Sequence, residues 1–183
     1  TGSNISVPDF YNNLEVLYMT NLVPATNEDK DFLAQVCESV VPLYHPIMPG
    51  VFEKQAGRFR VKGLSNRYKT YIVNYNDNKI GFLGVKDITK EISYLVALYF
   101  HSNYQRQGIG GKTMSRLYDR LRCKGFKEIV LLVHKEAYWA VNFYKKEDFE
   151  IVGETKNEML DYLPQMEKEI LPSTYLMTKI ISK

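Results

Sequence analysis

Tyr94-Leu95-Val96-Ala97-Leu98-Tyr99-Phe100, followed after four residues by Gln105-Arg106-Gln107-Gly108-Ile109-Gly110-Gly111, is the stretch that decides the fold. Its first half is apolar at consecutive positions, which predicts a central strand covered on both faces. Its second half is a turn opening a helical pattern, Ile109, Thr113, Leu117 and Leu121, that Gly125 closes. A strand that feeds a Gly-rich turn into a helix N-terminus makes backbone N–H groups and the positive end of the helix dipole converge. The expected occupant is an anion, best a pyrophosphate. The turn lacks the Lys-Ser/Thr of a P-loop, and it does not follow a first strand with an acidic residue about 20 positions on, as a dinucleotide fold requires.

Working outward, Ile92 to Phe100 closes a meander whose earlier strands are Thr70 to Tyr75 and Ile80 to Asp87, the first two joined by Asn76-Asp77-Asn78. Upstream, Glu15 to Met19 reads as a short strand. Thr26 or Asn27 caps a helix bearing Phe32, Leu33, Val36, Val40 and Val41, and Pro42 is expected to stop it. The text from Val41 to Gly63 is punctuated by Pro42, Pro46, Pro49 and Gly50, with a helical piece around Val51 to Phe59. Downstream come a strand at Glu128 to His134, a helix at Tyr138 to Lys146 and a strand at Phe149 to Glu154. A polar insertion, Thr155 to Thr174, precedes a closing strand at Tyr175 to Ile181.

The chain has 183 residues, 45% of them hydrophobic, enough for one α/β domain with a packed core. A formal charge of +3 is far from a nucleic-acid-binding signature. No apolar run reaches the roughly 18 residues of a membrane span, and no signal segment opens the chain. Cys37 and Cys123 have no metal spacing and are expected to be buried thiols in a reducing compartment. The expectations are therefore a cytoplasmic protein, no nucleic acid, no membrane and no metal. Thr1-Gly2-Ser3 reads as an appended remnant, and residues 1–13 as a flexible N-terminal segment ahead of a single domain.

The string Leu98-Tyr-Phe-His-Ser-Asn-Tyr-Gln-Arg-Gln-Gly-Ile-Gly110, with Ala140-Val-Asn-Phe-Tyr-Lys-Lys146 and Phe149-Glu-Ile-Val152 after it, resembles the GNAT superfamily of acetyl-CoA-dependent N-acetyltransferases. Its signature is Q/R-x-x-G-x-G/A. The resemblance implies a mixed, mostly antiparallel twisted sheet of about six to seven strands flanked by about four helices. It implies that the N–H groups from Arg106 through Gln107, Gly108, Ile109, Gly110 and Gly111 to Lys112 hold the pyrophosphate of acetyl-CoA. Gln105, Gly108 and Gly110 take the signature positions, and the Leu98, Tyr99 and Phe100 backbone pairs with the pantetheine arm. Tyr144 matches the helix tyrosine that protonates the leaving thiolate. Two positions depart from the family: Ala137 stands where Asn is usual, and Asp148 where Gly precedes the phenylalanine.

Within that superfamily the chain most resembles protein N-terminal (Nα) acetyltransferases acting on Met-initiated chains, through Tyr94-Leu-Val-Ala-Leu98, Val41-Pro42-Leu43 and Phe149-Glu-Ile-Val152. The resemblance implies that Tyr94 orders a water that deprotonates the amine. The histidine that shares this task is replaced by Leu132, with His134 two residues on, and Tyr99 replaces a small glycine. Pro42, Leu43 and His45 are candidates for the acceptor pocket. Tyr162 is placed by the resemblance in a hairpin covering the peptide. Strict alternation puts Tyr94, Val96 and Leu98 on one face with no glutamate among them. At pH 7 about 10% of α-amines but only about 0.04% of lysines are neutral, so an α-amine needs little base.

Charge decides little. Lys112, Arg116, Arg120 and Lys124 read as a solvated basic stripe. The first crossover is basic (Lys54, Arg58, Arg60, Lys62, Arg67, Lys69) and the insertion acidic (Glu158, Asp161, Glu167, Glu169). The leading expectation is direct acetyl transfer to a protein or peptide N-terminus, with a ribosome-associated auxiliary subunit as a possible partner. The alternatives are a small-amine or polyamine N-acetyltransferase and a non-catalytic CoA-binding subunit or sensor.

Overall fold

A computed structural model describes residues 20–182. The strand expected at Glu15 to Met19 lies outside the described residues, as does the N-terminal segment 1–13. The elements are β1 (Thr20–Pro24), α1 (Lys30–Tyr44), α2 (Val51–Lys62), β2 (Lys69–Tyr75), β3 (Asn78–Asp87), β4 (Ile92–Phe100), α3 (Ile109–Cys123), β5 (Glu128–His134), α4 (Tyr138–Lys146), β6 (Glu150–Gly153), α5 (Lys156–Tyr162) and β7 (Thr174–Ile180). They form one seven-stranded sheet in the order β1-β2-β3-β4-β5-β7-β6. Neighbours are antiparallel except β4 and β5, which run parallel.

Local chemistry explains the boundaries. Asn76 and Asp77 both adopt positive φ (49° and 61°) in a two-residue hairpin, the conformation these residue types tolerate best. Thr26 and Asp29 close a reciprocal capping box ahead of α1, a device worth about 1 kcal/mol. Pro42 does not stop α1, which runs on to Tyr44 with the proline inside it. The ring removes one donor in the last turn, but His45 N still donates to Val41 O at 2.8 Å, so the helix ends three residues later than the proline suggested.

Both faces of the sheet are covered. Leu95, Leu98, Ile129, Leu131 and Val133 pack under α3 and α4, while Ile72, Phe82, Ala97 and Tyr99 pack under α1 and α2. Tyr94, Val130 and Leu176 meet α5 on the same side as α1. A bulge between Gly84 and Val85 skips Val96, because Gly84 faces Ala97 while Val85 faces Leu95. It overturns the strict alternation read from sequence: Leu98 joins the α3 face, and Tyr94, Val96, Ala97 and Tyr99 share the other.

The insertion holds α5, with its own capping box of Thr155 and Glu158, in place of a hairpin. Cys37 is buried as expected, its thiol pushed up to about 12 by desolvation, but Cys123 is exposed in the last turn of α3. Arg120 is no solvated member of a stripe: its guanidinium donates to Leu22 O at 3.0 Å and lies 4.7 Å from the Tyr71 ring. Asp148 has φ +60°, which accounts for the glycine usual at this place. Its ion pair with Lys179, at 3.3 Å, is largely solvent-facing. Asp148→Gly removes left-handed strain and adds chain entropy, so a net gain of about 0.5 kcal/mol and a Tm rise of about 1–2 °C is expected by calorimetry.

Candidate active site

β4 and β5 pair only from Ile92–Glu128 to Leu95–Leu131. Beyond that point β5 pairs with β7 alone, and β4 passes from buried at Leu95 to half-buried from Val96 to Phe100. The parted strands leave the end of β4 as an edge inside the sheet, unpaired with β5 and suited to an extended ligand. Leu98, Tyr99 and Phe100, expected to hold a pantetheine arm, lie on that edge.

The Gly-rich turn closes one end of the gap. Gly108 is the N-cap of α3 with φ +72°, no side chain caps the helix, and nothing lies within 4 Å of where a Cβ would stand. The first-turn N–H groups, from Ile109 to Lys112, are therefore presented to an anion without competition. Gly110 has a separate purpose: a Cβ there would stand 2.8 Å from the Phe143 ring, so its absence lets α3 seat against α4. Gln105 anchors the turn, its amide donating to Phe100 O at 3.1 Å. Gln107 donates to Asn103 O at 2.9 Å, and Arg106 sits at φ +59°. These side chains shape the cradle, leaving its backbone N–H groups to meet the anion. Lys112 lies 5.9 Å from the Tyr75 ring centroid, on the same first turn.

Tyrosines from both faces of the sheet meet in the gap. Tyr144 comes from α4, packed against Phe143 and Phe149 at 5.1 and 5.5 Å between ring centroids. Burial pushes its hydroxyl far up, and Tyr44 and Tyr94 add to the rise. Tyr99 is raised well above its ordinary value by burial, then by Tyr44, Tyr144, Cys37 and Tyr94. Tyr94, buried, is raised by desolvation and by Glu169. Tyr94 packs with the α5-side cluster and Tyr144 with the α3-side cluster, on opposite faces of the sheet. Both proposed reacting tyrosines are neutral hydroxyls at neutral pH, fit to donate a hydrogen bond.

That has a consequence for stability. A tyrosine raised above its ordinary 10.0 holds its proton more tightly folded than unfolded. Its contribution is fully present below about pH 10 and is lost as pH rises above that value, where the unfolded chain ionises first. A Tm nearly constant from about pH 7 to 9 and falling above about 10 is expected in a pH series.

The other candidates have partners of their own: Pro42 is exposed in the last turn of α1, and His45 Nδ1 meets Glu53 Oε1 at 2.9 Å. Leu43 is half-buried beside them. The residue of that stretch that does join the aromatic group is Tyr44, 5.9 Å from Tyr99 and 4.6 Å from Phe52. His134, at the end of β5, accepts from Glu136 N at 3.2 Å. Tyr162 does not cover the gap: its hydroxyl donates to Glu128 Oε1 at 2.7 Å, at the opposite end of β5. Glu169 of the insertion pairs with Lys86 and with Arg67 of the crossover, so the two charge runs partly cancel each other. Sequence reasoning missed Tyr44, Phe52 and Trp139; the single tryptophan, just ahead of the Phe143-Tyr144 pair, was the available signal.

Residues 37–149 match the model of the acetyltransferase (GNAT) family, more than half of the chain. The chain belongs to the GNAT acetyltransferase family. This N-acetyltransferase has no match among curated proteins. Its fold is similar to that of the PaiA N-acetyltransferase of Thermoplasma acidophilum solved in complex with coenzyme A, at TM-score 0.69 and 20% identity, over 88% of this chain and 98% of that one. It is similar to Ard1 of Thermoplasma volcanium at TM-score 0.61 and 13% identity, over 90% and 99% of the two chains. A chimeric spermidine N-acetyltransferase from Vibrio cholerae matches at TM-score 0.63 and 16% identity, over 89% and 96%. At these identities the likeness is one of fold. The uncapped α3 N-terminus and the open edge of β4 fit acetyl-CoA: the turn offers backbone N–H groups suited to a pyrophosphate and the edge offers a strand backbone suited to an extended arm. Among the described residues no helix is long and apolar enough to cross a membrane.

Proposed function

We propose that this GNAT enzyme transfers acetyl from acetyl-CoA to the N-terminal α-amine of a protein or peptide. The observation that carries this reading is the aromatic group at the end of α1, where Tyr44 packs against Phe52, Tyr99 and Trp139 at 4.6, 5.9 and 5.3 Å between ring centroids. Glu53 is turned to His45, and Glu169 is held by Lys86 and Arg67. A polyamine carries several cations that call for carboxylate partners, and its amines need a strong base; an α-amine is neutral in about 10% of molecules at pH 7.

In this reading Tyr94 donates a hydrogen bond that orders a water, the water takes the amine proton and passes it to solvent, and the amine nitrogen attacks the thioester carbonyl. The new C–N bond forms as the C–S bond breaks, and Tyr144 donates a hydrogen bond to the departing sulfur. Most of the acceleration comes from holding amine and thioester side by side. Turnover of Met-initiated peptides against spermidine tests the acceptor. A kcat/KM at least about tenfold higher on the peptide is expected; a preference for spermidine overturns the proposal. Binding of acetyl-CoA with no transfer to either leaves a non-catalytic subunit as the answer.

A further inference from the structure

Glu147 caps the C-terminal end of α4, its backbone N–H donating to Phe143 O at 3.1 Å. A carboxylate at that end lies in the unfavourable field of its own helix, so α4 itself gives no reason for it. Its side chain reaches across to α3 instead. A Cβ on Gly111, in the first turn of α3, would stand 2.8 Å from Glu147 Oε1, so the missing side chain is what admits the carboxylate. Cα–Cβ bonds tilt toward the N-terminus of a helix, which puts this contact on the cradle side of Gly111. The other oxygen, Oε2, accepts from the Tyr118 hydroxyl at 3.4 Å.

Among the described residues no ion pair involves this carboxylate. Lys179 donates to the Glu147 carbonyl at 2.5 Å and pairs with Asp148 Oδ2 at 3.3 Å, its ammonium 4.9 Å from the Tyr118 ring centroid. No side chain caps the first turn of α3, so Glu147 stands beside the cradle without filling it. We infer that Glu147 is an electrostatic counterweight to the cradle: its charge opposes the pyrophosphate of acetyl-CoA, holds down the affinity of the turn and hastens the departure of product CoA. The inference rests on the turn receiving that pyrophosphate and is independent of which amine is acetylated. Glu147 is half-buried, and like charges within one helical turn of each other in such surroundings repel enough to change a binding constant severalfold.

The test titrates CoA into the wild type, Glu147→Gln, Glu147→Asp and Tyr118→Phe across a salt series, with the dissociation rate read by stopped flow and folding checked by Tm. Glu147→Gln is expected to bind CoA about fivefold more tightly at low salt, chiefly through slower dissociation, and this gain is expected to shrink as salt screens the charge. Glu147→Asp keeps the charge, and Tyr118→Phe keeps the carboxylate and loses only its hydrogen bond, so both are expected within about twofold of wild type. Weaker or unchanged CoA binding in folded Glu147→Gln, a gain that salt leaves untouched, or an equal gain in Glu147→Asp overturns the counterweight while leaving the cradle standing. A folded wild type that does not bind CoA overturns the cradle and the counterweight with it.

Discussion

Tyr144→Phe is expected to lower kcat on the best amine acceptor by about 10²-fold, with the KM for acetyl-CoA within about twofold of wild type. The substitution removes one oxygen from a ring held between Phe143 and Phe149, so the packing of α4 survives. What is lost is the hydroxyl proposed to donate to the departing sulfur. Because burial pushes the Tyr144 hydroxyl well above 10.0, the wild type keeps that proton throughout the neutral range. The deficit is therefore expected to be flat with pH below about 10, and steady-state kinetics in a pH series checks it. A Tyr144→Phe enzyme with undiminished kcat removes Tyr144 from the chemistry.

The second large effect is expected at the turn. Gly110→Val places a branched side chain where a Cβ alone would stand 2.8 Å from the Phe143 ring, forcing α3 and α4 apart. Overpacking of this kind costs about 1–3 kcal/mol, or roughly 3–10 °C in Tm for a chain of this size. The same displacement tilts the N–H groups of the first turn of α3, so the KM for acetyl-CoA is expected to rise at least about tenfold. Gly108→Ala is the informative contrast. It meets no neighbour but is strained at φ +72°, so its expected stability loss is about 1 kcal/mol without a shift of α4. Calorimetry and acetyl-CoA titration separate the two.

Much of the fold was legible because its punctuation is local. The β4 and β5 limits follow from apolar runs bounded by polar turns, and the Asn76-Asp77 hairpin and the close of α3 at Gly125 from residues suited to positive φ. The Gly-rich turn at the head of α3 was legible for the same reason, since its geometry is written in consecutive residues. Three features were not. The face of Leu98 depends on a bulge opposite Gly84 and Val85, a pairing irregularity that alternation along one strand does not carry. The end of α1 beyond Pro42 depends on bonds made past the proline. The partnership of Tyr44 with Trp139, 95 positions apart in sequence, exists only because two parallel strands separate, which no local pattern encodes.

The acceptor is the part of the account most open to a direct measurement. A peptide beginning with methionine and carrying one internal lysine is incubated with the enzyme and acetyl-CoA, and the position of the added acetyl group is read by fragment masses. The account expects the group on the α-amine, with lysine modified at least about a hundredfold more slowly, since so few lysine amines are neutral. Acetyl found mainly on the lysine contradicts it.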